Sequence, residues 1–242
     1  MRTNRTGIIS VALVAATLGL RAQTITWGTT QTISGASDVV NLGTLLGTWA
    51  PADANAASYP VNGVTFSPSS LPDFSTSGFT TSISNAGSPG TASVNYNTLM
   101  EYLEYGPAYT NPNYSTASIT WGGMVPGDTY EVELWTEDNR AGYDFSQSEY
   151  VIGGTTYGTD MGGPLNIFQP NIGGIGKFIT GTFVAGSGLE TIGFAPFSSE
   201  ANTSVSQINL FQVRDISVPE PSTIGLTAVG LLLARGLRRS RA

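Results

Sequence analysis

The feature that most constrains this fold is a series of short apolar segments, each closed by glycine, proline, asparagine or serine. In the clearest segment, residues 128–136, alternate positions are apolar: Tyr130, Val132 and Leu134. The positions between them carry a different set of side chains: Glu131, Glu133 and Trp135. This period of two predicts a half-buried strand, and the Pro126-Gly127 turn predicts where it begins. Glu131 and Glu133 are accordingly predicted to lie on a solvent-exposed acidic face.

Eight further segments are similarly short and bounded by turn residues: residues 24–27, 63–66, 79–83, 115–121, 150–157, 177–184, 190–194 and 205–214. Many short strands separated by turn residues are typical of an all-β sandwich or barrel. Helical spacing is found only at residues 98–105. The glycine-rich stretches 161–165 and 171–177 are predicted to be connections, because they lack the spacing of a phosphate-binding loop.

Charge is distributed very unevenly along the 242 residues. Residues 23–218 hold 16 acidic and three basic residues, a net charge of −13. This charge repels phosphate backbones, so nucleic acid is excluded as a partner. The chain has no cysteine and no histidine, which excludes disulfides, Cys/His zinc sites and His-dependent triads or dyads. Carboxylate chemistry and an oxygen-ligated Ca²⁺ site stay open, and no cofactor is predicted.

The N-terminus has the layout of a secretory signal peptide. Arg2 and Arg5 precede an apolar run over residues 7–20, and Ala22 offers a small residue for cleavage before Gln23. The alternative is an uncleaved N-terminal anchor. In either case the middle of the chain is predicted to be exported.

The C-terminus combines a proline-rich tether, an apolar run and a basic end. Residues 224–234 are uncharged and would span about 16 Å as a helix, against about 30 Å for a bilayer core. A helix over about 221–237, with Arg235 reaching to the interface, would span about 25 Å. We therefore expect a short transmembrane segment there. The residues predicted to stop it on the cytoplasmic side are Arg235, Arg238, Arg239 and Arg241.

The triplet Pro219-Glu220-Pro221, followed by this apolar run and basic end, resembles the PEP-CTERM sorting signal of exported bacterial proteins. The resemblance covers residues 218–242. It implies that Pro219, Glu220 and Pro221 form a recognition element for an exosortase, a membrane-embedded processing enzyme. It also implies a location in the cell envelope or an extracellular polysaccharide matrix, with at least transient anchoring of the C-terminus in the membrane.

The order of segments in the middle of the chain resembles the jelly-roll-like domains found ahead of such tails, through residues 121–135, 138–140, 178–183 and 208–214. We therefore expect a signal peptide at 1–22, an all-β, jelly-roll-like β-sandwich at 23–217, and the sorting signal with its hydrophobic helix at 218–242. The predicted function is that of a non-enzymatic envelope or matrix protein. Its sandwich would bind extracellular polysaccharide or act as an adhesive or structural module.

Two carboxylates on one strand raise an enzymatic alternative. Glu131 and Glu133 would lie about 6 to 7 Å apart along the strand, and Trp135 could stack on a sugar ring beside them. A secreted carbohydrate-active hydrolase using Asp/Glu is therefore the alternative function. A solvated acidic face is the simpler interpretation, because neighbours on an exposed strand form no cleft by themselves.

Aromatic side chains mark a candidate ligand surface, formed by Tyr102, Tyr105 and Trp135, with Tyr109 and Tyr114 nearby in the sequence. The alternative is that the tyrosines pack a long loop onto the sandwich. Residues 137–144 bring several oxygen ligands together without the EF-hand spacing. Structural turn chemistry is therefore the alternative to a noncanonical Ca²⁺ site there.

Overall fold

The computed structural model describes residues 24–51, 58–68, 70–79, 81–106, 117–138, 148–153, 161–166, 176–196 and 206–217. The predicted signal peptide and the predicted sorting signal lie outside these residues. The described chain consists mostly of strands, with one α-helix and one short 3-10 helix, which confirms the all-β prediction. Within it, no helix combines the length and the apolar character needed to cross a bilayer.

The helical elements of the described chain are α1 (Val94–Met100) and a 3-10 turn (Ala36–Asp38). Its strands are, in chain order, β1 (Thr26–Trp27), β2 (Gln31–Thr32), β3 (Thr44–Trp49), β4 (Tyr59–Val61), β5 (Val64–Phe66), β6 (Ser75–Ser77), β7 (Thr81–Ile83), β8 (Leu103–Tyr105), β9 (Ala117–Trp121), β10 (Thr129–Thr136), β11 (Ser148–Gly153), β12 (Met161–Asn166), β13 (Lys177–Val184), β14 (Glu190–Pro196), β15 (Gln207–Ile208) and β16 (Leu210–Asp215).

Two antiparallel sheets account for most of these strands. Sheet A has the order β1-β13-β10-β16-β3, with β2 also paired to β13. Sheet B has the order β12-β11-β14-β9-β6. The smaller groups are β15-β8-β7 and the hairpin β4-β5. The chain passes repeatedly between sheets A and B, so strands that are neighbours in the sequence are often in different sheets.

The inter-sheet core lies between sheets A and B. The alternation in β10 predicted that one face of the strand is apolar and buried. The structure confirms this, because Tyr130, Val132 and Leu134 are all buried in the inter-sheet core. Trp121, at the end of β9, reaches across from sheet B. Its ring lies 5.0 Å from that of Phe211 and 6.2 Å from that of Phe183, both in sheet A. These aromatic contacts join the two sheets.

A second cluster, the outer core, covers the opposite face of sheet A. Helix α1 and the β4-β5 hairpin supply one side of it, and sheet A supplies Trp135, Phe178 and Leu210. Sheet A is therefore buried on both faces along this part of β10. The predicted solvent-exposed acidic face is wrong, because a layer formed by residues distant in the sequence covers it.

Two other predictions from local pattern differ from the structure. The helix begins and ends earlier than residues 98–105, because the Oγ of Ser93 caps it by accepting from the Tyr96 N–H at 3.3 Å, and residues 103–105 form β8. The predicted connection at 161–165 belongs to β12. That strand lies at the edge of sheet B, where Pro164 can be accommodated without breaking an interior ladder.

Candidate functional site

Trp135 lies in the outer core and has no ring face open to solvent. Its exposed fraction is 0%, and its ring packs edge-on against Phe66 at 5.7 Å and stacks on Phe178 at 6.4 Å. The two rings and the covering layer occupy the surface that a sugar would need. In this structure Trp135 is a packing residue, which corrects its placement on a candidate ligand surface.

Glu133 accepts hydrogen bonds on the outer face of sheet A. Its Oε2 atom accepts from the Val40 N–H at 3.0 Å and from Gln212 Nε2 at 2.5 Å. Gln212 Nε2 also donates to the Val40 carbonyl at 2.9 Å. Burial raises the pKa of Glu133 to about 8, although these two hydrogen bonds act in the opposite direction. The carboxyl is therefore mostly protonated at neutral pH and ties a chain segment to the sheet.

Arg214 fastens the same segment a few residues further on. Its Nε donates to the Leu42 carbonyl at 2.5 Å, and its Nη2 donates to the carbonyls of Asn41 and Gly43, each at 3.0 Å. One planar guanidinium thus satisfies three consecutive carbonyls. Its charge also opposes the effect of burial, which raises the pKa of Glu131. Residues 40–43, held in this way against sheet A, are called the strap.

Replacing Arg214 with lysine is expected to loosen the strap. A lysine ammonium is a point charge on a flexible stem, so it cannot span three carbonyls as the guanidinium does. We expect the free energy of unfolding to fall by about 1 to 2 kcal/mol, with faster hydrogen exchange at the Val40 amide. Urea titration and hydrogen-exchange mass spectrometry measure the two effects.

The matched control is Lys177→Ala. The Lys177 ammonium donates to the Thr32 hydroxyl at an exposed position, so its loss is expected to cost no more than about 0.5 kcal/mol. Equal stabilities for Arg214→Lys and the wild-type chain, with unchanged exchange at Val40, would contradict the role given to the guanidinium.

The two tyrosines of the candidate ligand surface are not equally accessible. Tyr102 is 8% exposed, just before β8, whereas Tyr105 is half-buried in β8 and pairs with Thr81 and Gln207 on the neighbouring strands. Tyr109 and Tyr114 lie outside the described residues. The structure therefore favours the packing interpretation for Tyr102 and leaves Tyr105 as the more accessible ring.

Asn209 lies fully buried where three chain segments meet. Its Oδ1 accepts from the Glu137 N–H at 2.6 Å. Its Nδ2 donates to the carbonyls of Met100 and Tyr102 at 2.9 Å and to that of Glu137 at 3.1 Å. One side chain therefore joins the end of α1, the approach to β8 and the end of β10. We call this the Asn209 junction.

Glu137 follows β10 directly and is buried beside the Asn209 junction. Among the described residues, neither of its carboxylate oxygens has a hydrogen-bond partner. Burial, with smaller effects from the charges of Asp138 and Glu101, raises the pKa of Glu137 to about 9. Gly176 packs against it so closely that a Cβ there would lie 2.5 Å from the Glu137 Cβ. The side chain is therefore enclosed and neutral at pH 7.

A metal site is not formed by the described residues, which hold no group of three or more His, Cys, Asp or Glu side chains placed around one ion. Residues 139–144 of the candidate Ca²⁺ loop lie outside the described part of the chain, as do Pro219, Glu220, Pro221 and the four terminal arginines. For these residues the sequence interpretation stays a prediction.

Sequence reasoning missed the residues that organise the outer face of sheet A: Asn209, Gln212 and Arg214. Register pairs Gln212 with Glu133 and Arg214 with Glu131 across β10 and β16. The available signal was the alternation of polar and apolar residues in 205–214, but that pattern alone cannot tell a solvated polar face from a buried and hydrogen-bonded one.

No family model matches the chain, and no curated protein matches it. Among solved structures, the ANXUR2 extracellular domain and the ANX1 ectodomain, both from Arabidopsis thaliana, are similar at 12% and 10% identity, with TM-scores of 0.39 and 0.40. These alignments cover 70% and 72% of this chain and 41% and 42% of those chains.

A structure of the plant receptor-like kinase ANX2 is similar at 12% identity and a TM-score of 0.35, over 78% of this chain and 42% of that one. The chain spans less than half the length of these plant structures.

Proposed function

We propose that the protein is an exported, non-enzymatic component of a bacterial cell envelope or extracellular matrix, sorted by its C-terminal signal. The observation that carries the proposal is the arrangement along the chain. An acidic β domain, described from Thr24 to Ser217, stands between a secretory start and the Pro219-Glu220-Pro221 tail with its apolar run and basic end. The N-terminal signal indicates export, and the C-terminal apolar run with its basic end indicates a membrane segment whose basic side is cytoplasmic. Together they support a location of the domain on the outer side of a membrane.

The strand order supports a jelly-roll-like sandwich for this domain. A jelly roll has eight main strands, and when these are numbered along the chain its two sheets run 1-8-3-6 and 2-7-4-5. Numbering β3, β9, β10, β11, β12, β13, β14 and β16 from 1 to 8 gives these two orders in sheets A and B. The strands β1, β2 and β6 extend the sheets at their edges.

The outer face of sheet B supports an adhesive or structural role. Since Ile119 of β9 points into the inter-sheet core, its neighbours Ser118 and Thr120 point away from it. Thr120 lies beside Thr191, with 2.9 Å between their hydroxyl oxygens. This hydroxyl-bearing face offers donors and acceptors to a polysaccharide, and we assign the contact with matrix to it in preference to Tyr102 and Trp135.

The placement of Glu133 supports a non-enzymatic role over the hydrolase alternative. A glycosidase needs two carboxyl groups on either side of one bond of a bound sugar. Glu133 is 1% exposed and bonded to the strap, and Glu131 is on the same strand. Because Glu133 is buried under the strap and Glu131 lies beside it on the same strand, a sugar has no access to the space between the two carboxyl groups.

Sorting is tested by replacing Pro219, Glu220 and Pro221 together with alanine in the full chain. We expect the wild-type protein in the envelope or matrix fraction in a trimmed form, and the variant in the membrane fraction, untrimmed, because the processing enzyme no longer recognises it. Immunoblots of cytosol, membrane and matrix polysaccharide measure both size and location.

The control replaces the four terminal arginines with lysine, which keeps the positive charge that sets orientation. This variant is expected to be trimmed and located as the wild-type chain is. Trimming of the alanine variant to the wild-type extent would contradict the recognition role, and finding the untrimmed wild-type chain in cytosol would contradict export itself.

A further inference from the structure

Large apolar side chains that are exposed are concentrated at one end of the domain. Among the described residues there are six, and only Val94 lies elsewhere, at the start of α1. The other five, called the apolar end, are Leu42 (75% exposed), Leu45 (37%), Val125 (56%), Val184 (51%) and Leu189 (54%). Single exposed apolar residues are ordinary on a protein surface, but a group of them at one place indicates a contact site.

Strand register and turn contacts bring these five residues together. In sheet A, Val184 ends β13 opposite Thr129 at the start of β10, and Asp215 at the end of β16 is opposite Thr44 at the start of β3. Four adjacent strands therefore end in one row about 14 Å wide. Leu42 and Leu45 lie at the β3 side of this row.

The same row continues into the turns that lead to sheet B. Val125 lies in the turn between β9 and β10, and Leu189 in the turn between β13 and β14. These turns are bonded to each other, since the Gly127 N–H donates to the Ala185 carbonyl at 2.7 Å and the Ala185 N–H donates to the Asp128 carbonyl at 2.8 Å. The two turns therefore lie side by side at the end of sheet A where β10 begins and β13 ends.

The described chain also ends at the apolar end. The Ile216 N–H donates to the Thr129 carbonyl at 2.9 Å, and the Thr129 N–H donates to the Ser217 hydroxyl at 2.8 Å. The first described residue, Thr24, lies at the same end, because Thr26 pairs with Thr182, two residues before Val184. Both segments that the sequence connects with a membrane therefore join the domain here.

The tether between Ser217 and the apolar run is short. Residues 218–223 span at most about 20 Å when fully extended, and Pro219 and Pro221 restrict its flexibility. If residues 224–234 are inserted in a bilayer, the end of the domain where the tether begins is held within that distance of the lipid surface.

We propose that the apolar end is a membrane-docking surface, through which Leu42, Val125, Val184 and Leu189 contact the bilayer that holds the C-terminal tail. This inference rests on the proposed function, because the tail supplies the anchor. The contact is apolar, and Asp128 and Asp215 at the same end would be repelled by anionic headgroups. The expected partner is therefore a zwitterionic lipid surface, entered to the shallow depth typical of interfacial residues.

The absence of cysteine from the sequence allows a clean test in the full chain. Single variants Val125→Cys, Val184→Cys and Val94→Cys are labelled with an environment-sensitive fluorophore and reconstituted in phosphatidylcholine vesicles that carry a quencher on the lipid. We expect about a twofold or greater loss of emission at positions 125 and 184, because both enter the interface, and almost none at 94. Val94 is the control, an exposed valine at the start of α1 whose side chain is 76% exposed, against 56% for Val125 and 51% for Val184.

Co-sedimentation of the full chain and of a chain lacking residues 218–242 separates the two proposals. A full chain that sediments with the vesicles but shows no more quenching at 125 and 184 than at 94 would overturn docking and leave the anchor intact. A full chain that stays in the supernatant would overturn both. If the labels at 125 and 184 report burial without lipid, together with dimers in analytical ultracentrifugation, the surface belongs to a second copy and lipid docking is wrong.

Discussion

Replacing Asn209 with alanine is expected to lower the free energy of unfolding by about 3 to 5 kcal/mol, enough to unfold a marginally stable domain. The substitution leaves the Glu137 N–H and the carbonyls of Met100 and Tyr102 buried without the partner that Asn209 supplies. Each unsatisfied group costs about 1 to 3 kcal/mol. The expected midpoint of urea unfolding is therefore far below that of the wild-type chain.

Asn95→Ala is the matched control for this loss. Asn95 donates one side-chain hydrogen bond, to the Pro60 carbonyl at 2.9 Å, and it does so at the surface. Water can replace that bond, so we expect a change of no more than about 0.5 kcal/mol. Similar midpoints for Asn209→Ala and Asn95→Ala would show that the Asn209 junction does not hold the three segments together.

Raising the pH from about 5 to about 9 is expected to destabilise the folded chain strongly. The pKa values of Glu133 and Glu137 are raised by burial to about 8 and about 9 in the folded state, against about 4.5 when unfolded. Between the unfolded pKa of about 4.5 and the folded pKa values of about 8 and about 9, the folded state binds more protons than the unfolded state. The stabilisation that each carboxyl contributes is therefore fully present below the unfolded pKa and is lost as pH rises through the folded pKa. Each group contributes at most about 1.4 kcal/mol per pH unit.

Glu137→Gln tests the larger part of this pH dependence, because burial raises the pKa of Glu137 further than that of Glu133. The amide keeps the size of the neutral carboxyl and cannot ionise, so the variant is expected to lose less stability between pH 5 and pH 9 than the wild-type chain does. Urea titrations at several pH values measure the slope. Asp73→Asn, at an exposed turn with a positive φ that asparagine tolerates, is the control for replacing a carboxyl by an amide. A wild-type stability that rises over this range would contradict the placement of both carboxyls.

The local alternation in residues 128–136 predicted the central strand of sheet A to within one residue and the side chains that it sends into the inter-sheet core. It succeeded because a strand with one buried apolar face must place such residues at every second position. β3 was missed, since Leu45 and Leu46 are adjacent and interrupt that period. At Gly47 the backbone of β3 lies so close to the backbone of Leu71 that a Cβ would be 2.9 Å from it. The local sequence does not predict this contact.

The candidate ligand surface shows the limit of the same reasoning. Whether Trp135 and Glu133 meet solvent depends on α1, the β4-β5 hairpin and the strap, which lie between 30 and 100 residues earlier in the chain. A tryptophan on the polar side of a strand was a hint of a second layer, since so large an apolar ring is usually well buried.

The sequence by itself determined that the domain is built from strands, that it is acidic, and that chemistry requiring cysteine or histidine is excluded. These properties follow from composition and from the period of two, both of which are local. Only the tertiary structure decided that the carboxyls of Glu133 and Glu137 are buried and that exposed apolar residues gather where the chain leaves the domain. Burial and proximity depend on which distant segments pack together, and that is a property of the folded chain as a whole.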